Sequence, residues 1–483
     1  VRVAAIENPQ LSLLCLDVAL SDIDLALPQL LLKRTDKHEQ VRIFQDGHVV
    51  RETLEVFNLS STPKLLDLRA EGVYLITGGT GGLGLELALE MAHQARARSI
   101  HIKLALTATT ELPLQSEWEN VVSEVTTSDK LRTKLQKLLE IQACGAEVYC
   151  YAVNSADRIQ TQNLLASLRA QLGDIAGVVH AAGRAGDGFL INKSPVQMYE
   201  VMAPKVQGAW LLDELTEQDS LDFFVMYSSI ASHCHEAGQS DYTAANRFID
   251  ALAVQRRARN LPALAVCWPA WRETGIAVEY NAVSENELFF PVNTKEALQM
   301  LAAVLADAEN LPAAIVLSQL NGEKTTADLE QLNLVGSQAV ISKLNKSTAR
   351  KTGRPSSGAQ VRVEPVGVDN PDEYDLMVSD VWSRVLGVVE LHADESFNNL
   401  GGNSILVTQK YKEFDSRHPG VMDMTDLFTY TTLREQAKFF RKALAPEEPV
   451  AERTDRDLDQ ELEEQLAKLV AGEISLEEAQ ALV

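Results

Sequence analysis

Four polar side chains and one run of glycines carry the chemistry open to this chain. Lys205, Ser229, Tyr242 and Asn246 offer an ammonium, a hydroxyl, a phenol and a carboxamide. They follow the run Thr77-Gly78-Gly79-Thr80-Gly81-Gly82-Leu83-Gly84. Its Gly79-x-Gly81-x-x-Gly84 spacing lies between an apolar strand, Val73-Tyr74-Leu75-Ile76, and a helical stretch from Leu85 to Ala95. Such glycines permit a tight turn, and amides at the helix N-terminus can then meet a pyrophosphate. A glycine loop alone is often turn chemistry; its strand–loop–helix setting points to a dinucleotide. A ketone accepts hydride only if its oxygen is protonated or strongly hydrogen-bonded as charge develops. Donors downstream of a nicotinamide site therefore read as an apparatus for reducing a ketone. Taken singly, a buried Tyr or a surface Lys is usually structural, so the weight rests on the ordered set.

The elements that must position these groups alternate. Beyond Val73–Ile76, strands are predicted at Ile102–Leu106, Val148–Ala152, Ile175–His180, Phe223–Tyr227 and Leu264–Trp268. Strand–helix repetition of this kind predicts a doubly wound α/β fold of Rossmann type with a parallel sheet, placing Ser229 and Tyr242 at its carboxyl edge. Ahead of it, residues 1–70 alternate in short apolar runs, with strands at Leu11–Leu16 and Glu39–Phe44. A hairpin turn at Asp46-Gly47-His48 leads to Val49-Val50. The catalytic domain is assigned to 71–330. Residues 331–371 read as a linker, because Lys343 to Asn370 is rich in Ser, Gly, Pro and basic residues without apolar period. A separate all-α unit follows at 372–442, with Leu376, Val381, Val385 and Val388 at helical spacing. The acidic tail, 443–483, holds two short amphipathic helices. One carries Leu458, Leu462, Leu466 and Leu469; the other carries Ile474, Leu476, Ala479 and Leu482. It reads either as a solvated end or as a docking element.

Composition narrows the class. At 483 residues the chain can hold several domains, and its net charge of −24 argues against nucleic acid or an anionic membrane as partner. Cys15, Cys144, Cys150, Cys234 and Cys267 have no metal or redox spacing and read as buried thiols in a reducing cytoplasm. No stretch is long and apolar enough to cross a bilayer. The opening Val1-Arg2-Val3, without Met, suggests an excerpt from a longer polypeptide.

Thr77-Gly78-x-x-x-Gly82-x-Gly84, His180-Ala181-Ala182-Gly183, Ser229 and Tyr242 resemble the short-chain dehydrogenase pattern. That family usually has lysine four residues after the tyrosine. Here Asn246 stands there, and lysine comes earlier, in Pro204-Lys205-Val206-Gln207-Gly208. The exchange resembles the ketoreductase domains of modular (type I) polyketide synthases. Trp268-Pro269-Ala270-Trp271 resembles their closing strand, and Val1 to Leu68 part of their small α/β structural subdomain; the likeness spans about Val1 to Leu320. It implies NADPH-dependent reduction of a carrier-bound β-ketoacyl thioester to the β-hydroxyacyl thioester. Tyr242 would be the acid and Ser229 a second donor to the same oxygen. A Tyr of pKa about 10 needs a neighbouring ammonium to stabilise its phenolate, which Lys205 would supply. Asn246 would order that lysine or a proton-relaying water. The cofactor would meet Gly79, Thr80, Gly81, Gly82, Leu83, Gly84, Thr109, Asn154, Ala181, Ala182 and Gly183.

Several positions depart from the pattern. Thr109, in Leu104-Ala105-Leu106-Thr107-Ala108-Thr109-Thr110, holds the place of the arginine that binds the 2′-phosphate of NADPH. A hydroxyl can donate to phosphate but cannot neutralise it or grip it bidentately. Weakened NADPH affinity, lower turnover, or compensation by Arg158 or Lys103 would follow, unless the change is harmless drift. Asn154 replaces the Asp that usually flanks adenine, keeping an acceptor oxygen. Asp187 matches the aspartate of the B-type domains, which deliver the D-configured alcohol, and Cys234 holds the place where A-type domains carry Trp; Ala185 and Gly186 depart from the fuller Leu-Asp-Asp motif. Leu211 and Phe189 read as core. Arg272 to Pro291, with Gly275, Phe289 and Phe290, reads as a mobile lid or as a plain surface loop.

Leu400-Gly401-Gly402-Asn403-Ser404-Ile405-Leu406 resembles the attachment motif of acyl carrier proteins, and Trp382-Ser383-Arg384-Val385-Leu386-Gly387 with Phe397 fits the same pattern. The likeness implies 4′-phosphopantetheine on Ser404, where a helix start favours a phosphodiester; the serine would cap that helix in any case. Asn403 replaces the usual Asp, removing a charge that would help the phosphopantetheinyl transferase. Tethering would raise the acyl group to roughly millimolar at the reductase. An acidic carrier in cis, and neighbouring synthase modules, would be the partners. Arg256, Arg257 and Arg259 offer a basic rim for such a carrier, or simply solvate a helix. The rival reading is a carrier and scaffold module whose reductase fold is scarcely active; a free-standing NADH-using reductase of small ketones sits badly with the carrier motif.

Overall fold

The computed structural model describes residues 2–7, 14–18, 39–43, 49–50 and 52–58. It further describes 64–351 except 187, 236, 281 and 333, and 365–444 except 387, 389, 398–399, 401–403 and 424–425. The Asp46–His48 turn, residues 352–364 of the linker, Gly401–Asn403 and nearly all of the acidic tail therefore lie outside the described residues. Two compact units emerge, the first built mainly from Val1–Gln360 and the second mainly from the chain beyond it.

In the first unit a short helix, α1 (Arg2–Glu7), precedes a small sheet. Its strands β1 (Leu14–Val18) and β2 (Glu39–Ile43) are parallel, and β3 (Val49–Val50) runs antiparallel to β2, as the predicted hairpin requires. Next come β4 (Val73–Thr77), α2 (Gly82–Ala97), β5 (Lys103–Ala108), α3 (Trp118–Ser123), α4 (Asp129–Ala143), β6 (Glu147–Ala152), α5 (Arg158–Gln171) and β7 (Ile175–His180). The run continues with α6 (Pro195–Leu215), β8 (Phe223–Ser229), α7 (Ser240–Ala258), β9 (Leu264–Trp268), α8 (Ile276–Glu279), α9 (Thr294–Leu305), β10 (Ala314–Val316), α10 (Thr326–Gln331) and α11 (Gln338–Lys351).

Seven strands form one sheet in the order β10-β9-β8-β7-β4-β5-β6, with parallel pairing throughout. Strand order reverses between β4 and β7, and the crevice beyond their carboxyl ends is where such folds hold ligands. Burial on both faces explains the unbroken apolar runs of β4 and β7, every residue of which is buried. Neighbours along β4 serve opposite layers: Tyr74 and Ile76 pack in one core cluster and Leu75 in the other.

Three elements depart from the sequence reading. Val340 and Leu344 of α11 are fully buried against Leu329 and Phe289, so the first part of the supposed linker is a packed helix. The edge strand β10, only three residues long, carries too little periodicity to be read. Residues 2–7 form a helix where the sequence reading assigned no element, and Glu7 accepts from the amides of Leu190 (2.8 Å) and Gly238 (2.9 Å).

The second unit is all-α: α12 (Glu373–Leu386), α13 (Ser404–Arg417), α14 (Asp426–Thr429) and α15 (Leu433–Ala443). Val381 and Trp382 are buried, and Leu376 and Val385 half-buried. Trp382 packs edge-on against Phe397, and its indole donates to Gln436 Oε1 at 2.9 Å. Thr432 and Glu435 form a capping box that starts α15.

Candidate active site

The glycine loop closes as the spacing requires. Gly78 has φ +67°, and a Cβ there would stand 2.8 Å from Ala182 N. Only glycine lets this turn meet the Ala181–Ala182 backbone, whose Ala181 N–H donates to Thr77 O at 3.0 Å. Gly81 is the N-cap of α2 and no side chain caps that helix, which leaves its first turn to an anion. Thr80 and Gly84 are buried, whereas Gly81 and Gly82 are exposed and Leu83 half-buried. Thr274 and Gly275 back directly onto Gly82 and Leu83. The segment read as a lid is thus anchored at its start on the loop, and Phe289 is core, packed with Cys234 and Leu288. Phe189 and Leu211 are buried, as expected.

His180, at the end of β7, bonds Thr77 Oγ1 through Nδ1 at 2.6 Å. Burial, with Lys205 nearby, pushes it down to about 3, so it ties the two central strands together as a neutral ring. Thr109 stands exposed just past β5. Asn154, also exposed, spends its side-chain oxygen on Ala156 N (3.1 Å). Both residues named as substitutes for the missing arginine already have partners. Arg158 forks onto Glu214 (2.8 and 2.6 Å). Lys103 opens β5 at the opposite end from Thr109, where it bonds Leu172 O (3.0 Å) and pairs with Glu71.

Ser194 and Gln197 form a capping box that starts α6, and Pro204 inside it cannot donate to the preceding turn. Lys205 follows, buried, with Nζ donating to Tyr227 O at 2.6 Å and lying 5.9 Å from the Tyr242 ring centroid. Burial lowers this amine to about 8, against the opposing pull of Asp250 and Cys267. Gly183 completes the passage: a Cβ there would lie 2.8 Å from Lys205 Cε. Ser229 ends β8, its hydroxyl accepting from Ala231 N at 3.2 Å. Tyr242 is half-buried in the first turn of α7. Asn246, one turn on, donates to Tyr242 O at 2.8 Å, leaving Oδ1 buried without a protein partner. Lys205 is therefore ordered by a β8 carbonyl, while Asn246 keeps an acceptor open for water.

Two residues escaped the sequence reading. Asp241 accepts from the Tyr242 N–H at 2.8 Å and forms a buried ion pair with Lys193. The pair fixes the start of α7, and Asp241 fills the space a side chain at Gly186 would need. A lone Lys and a lone Asp separated by an intervening helix and strand give no local signal. Asp187 lies outside the described residues. The three arginines read as a basic rim are all engaged within the domain, Arg256 buried, Arg257 half-buried and Arg259 exposed. Arg256 is buried against Asp213, Arg257 donates to Ala263 O (2.7 Å), and Arg259 pairs with Asp213 and Glu217. Of the cysteines, Cys234 and Cys267 are buried and Cys144 and Cys150 half-buried. Ser404 is the first residue of α13.

Among the described residues no helix is long and apolar enough to cross a membrane. The KR domain family matches residues 72–273, and the phosphopantetheine attachment site family matches 378–440. The polyketide synthase PksN of Bacillus subtilis is 32% identical over 286 residues, covering 57% of this chain and 5% of that protein. The mellein synthase of Phaeosphaeria nodorum is 26% identical over 403 residues, 79% of this chain and 21% of the relative. This chain thus spans a small part of the length of such relatives. Among solved structures, a ketoreductase domain from the bacillaene assembly line aligns with TM-score 0.55 and 26% identity, covering 68% of this chain and 74% of its own. A structure of A-type ketoreductases from a modular polyketide synthase aligns with TM-score 0.58 and 25% identity, covering 72% of this chain and 68% of its own. The chain accordingly carries a KR domain over 72–273, within the parallel sheet and its glycine loop, followed by a phosphopantetheine attachment site domain over 378–440, and its relatives are modular polyketide synthases.

Proposed function

We propose that this chain reduces a β-ketoacyl thioester to the β-hydroxyacyl thioester with NADPH, the acyl group riding on 4′-phosphopantetheine at Ser404 or at its counterpart in another module. The observation that carries this reading is the buried Lys205 amine beside the Tyr242 ring, across the β4–β7 crevice from an uncapped glycine loop. Gly78 to Gly84, with Ala181 to Gly183, would hold the dinucleotide, which when bound supplies the hydride. Tyr242 gives its phenolic proton to the ketone oxygen as the carbonyl carbon gains that hydride, and Ser229 donates a second hydrogen bond to the same oxygen. Lys205 holds the phenolate by charge until a proton returns, and Asn246 Oδ1 accepts from the water that brings it. Asp241 with Lys193 keeps the acid at the mouth of the crevice. Asp187 would bias the product toward the D-configured alcohol.

The same arrangement fits a place in a multi-module synthase, with a phosphopantetheinyl transferase loading Ser404. The test follows NADPH and NADH consumption by the purified chain with a β-ketoacyl thioester. Wild type should turn over, and Tyr242→Phe should lose at least about 100-fold in kcat. Preference between the two nucleotides reads directly on Thr109. Dinucleotide binding without turnover of either would turn the assignment to a scaffold with a silent reductase fold.

A further inference from the structure

Behind the reductase site, three side chains from three separate segments converge. His233 follows β8, Asp250 lies on α7 one turn beyond Asn246, and Cys267 is on β9, paired with Ser228. Cys267 Sγ lies 3.6 Å from His233 Nε2 and 3.5 Å from Asp250 Oδ1, and His233 Nε2 lies 3.7 Å from Asp250 Oδ2. One donor atom from each falls within 4.8 Å of the other two. A tetrahedral zinc ion, with Zn–S near 2.3 Å and Zn–N or Zn–O near 2.0–2.1 Å, sets its ligands about 3.3–3.6 Å apart. The Sγ–Nε2 separation already matches that spacing, and each carboxylate oxygen of Asp250 lies close to it from one of the other two donors, so a small turn of the carboxylate completes the set.

Asp250 Oδ2 is buried without a hydrogen-bond partner, an expensive state for a carboxylate in a core, and it faces His233. Cys267 is fully buried and Asp250 nearly so, while His233 keeps some exposure and marks the way in. We propose that His233, Asp250 and Cys267 form a binding site for a zinc-class divalent cation, its fourth position open to water. Binding breaks the Cys267 S–H bond and releases the proton to solvent; the thiolate and carboxylate then balance the ion's two charges. Arg247 Nη1, which can only donate, lies 3.2 Å from His233 Nδ1 and forks onto Glu52. Ligation through Nε2 therefore requires Nδ1 to take up the ring proton and to exchange the Arg247 contact for Glu52, 3.7 Å away. This site is separate from the dinucleotide crevice and does not depend on the reductase reading.

The untagged full chain, exposed to zinc and then dialysed, should retain about one zinc per chain by mass spectrometry of metals. His233→Ala and Cys267→Ala should each retain less than about a tenth of that. Cobalt substitution should give a near-ultraviolet thiolate charge-transfer band that Cys267→Ala removes and Cys144→Ala keeps. Wild type holding no more metal than His233→Ala, or a band surviving Cys267→Ala, overturns the proposal. Should either variant fail to fold, absence of the cobalt band in wild type overturns it alone.

Discussion

At the residue scale, the site depends on how an amine is kept charged while buried. Lys205 donates to Tyr227 O and sits lowered to about 8. Reduction needs the ammonium, so kcat/KM for the thioester should fall as pH rises through about 8, measured from pH 6 to 10. Stability runs the other way. The folded pKa lies below the ordinary 10.5, so the unfolded chain binds more protons between about 8 and 10.5. This group's contribution to stability therefore increases with pH across that window. Gly183 supplies a second test. Gly183→Ala would press a methyl onto Lys205 Cε, shifting the amine from Tyr242. A drop in kcat of about 10- to 100-fold, with an unchanged far-ultraviolet spectrum, is expected. The Tyr, Ser, Lys and Asn were legible in the sequence; Gly183 was legible only as cofactor lining, because its contact with Lys205 joins segments a helix apart.

At the element scale, α6 carries Lys205 and α7 carries Tyr242 and Asn246, the groups to which the proposed reduction assigns the chemistry, and β8 lies between them in sequence. Each helix begins with a device that fixes its end: the Ser194–Gln197 box for α6, and Asp241 for α7. Asp241 is buried, and Lys193 answers its charge from just ahead of α6, so one ion pair registers both helix starts. Removing one partner leaves an uncompensated buried carboxylate. Lys193→Met should cost about 3–5 kcal/mol in urea unfolding, far more than an exposed pair would. The helix and strand pattern was readable because the central strands are uniformly apolar and the helices long. β10 and α11 were not, since three residues carry no period and the polar face of α11 matches linker composition.

At the scale of the whole molecule, a reductase domain and a carrier domain share one chain, and Ser404 at the start of α13 is where the second would be armed. With coenzyme A and a phosphopantetheinyl transferase, intact-mass measurement should show wild type gaining the arm's mass and Ser404→Ala gaining none. A gain by the variant would move the attachment site elsewhere. The net charge of −24 coexists with arginines already paired to acids of their own domain. Arg256 and Arg259 hold Asp213 on α6, so the charge complementarity expected between carrier and reductase does not come from them.

Sequence alone determined the elements whose signal is local: the glycine loop between a strand and a helix, the order of lysine, serine, tyrosine and asparagine, and a serine opening a helix after Gly-Gly. Tertiary structure decided what depends on proximity across the sheet. It brought Lys193 to Asp241, Gly183 to Lys205, and His233 to Asp250 and Cys267. It also buried Arg256 against Asp213 and gave Arg257 and Arg259 partners of their own. Those outcomes arise because a parallel sheet brings distant segments together at one edge, and charge, once buried there, must find its counterpart in space rather than in the chain.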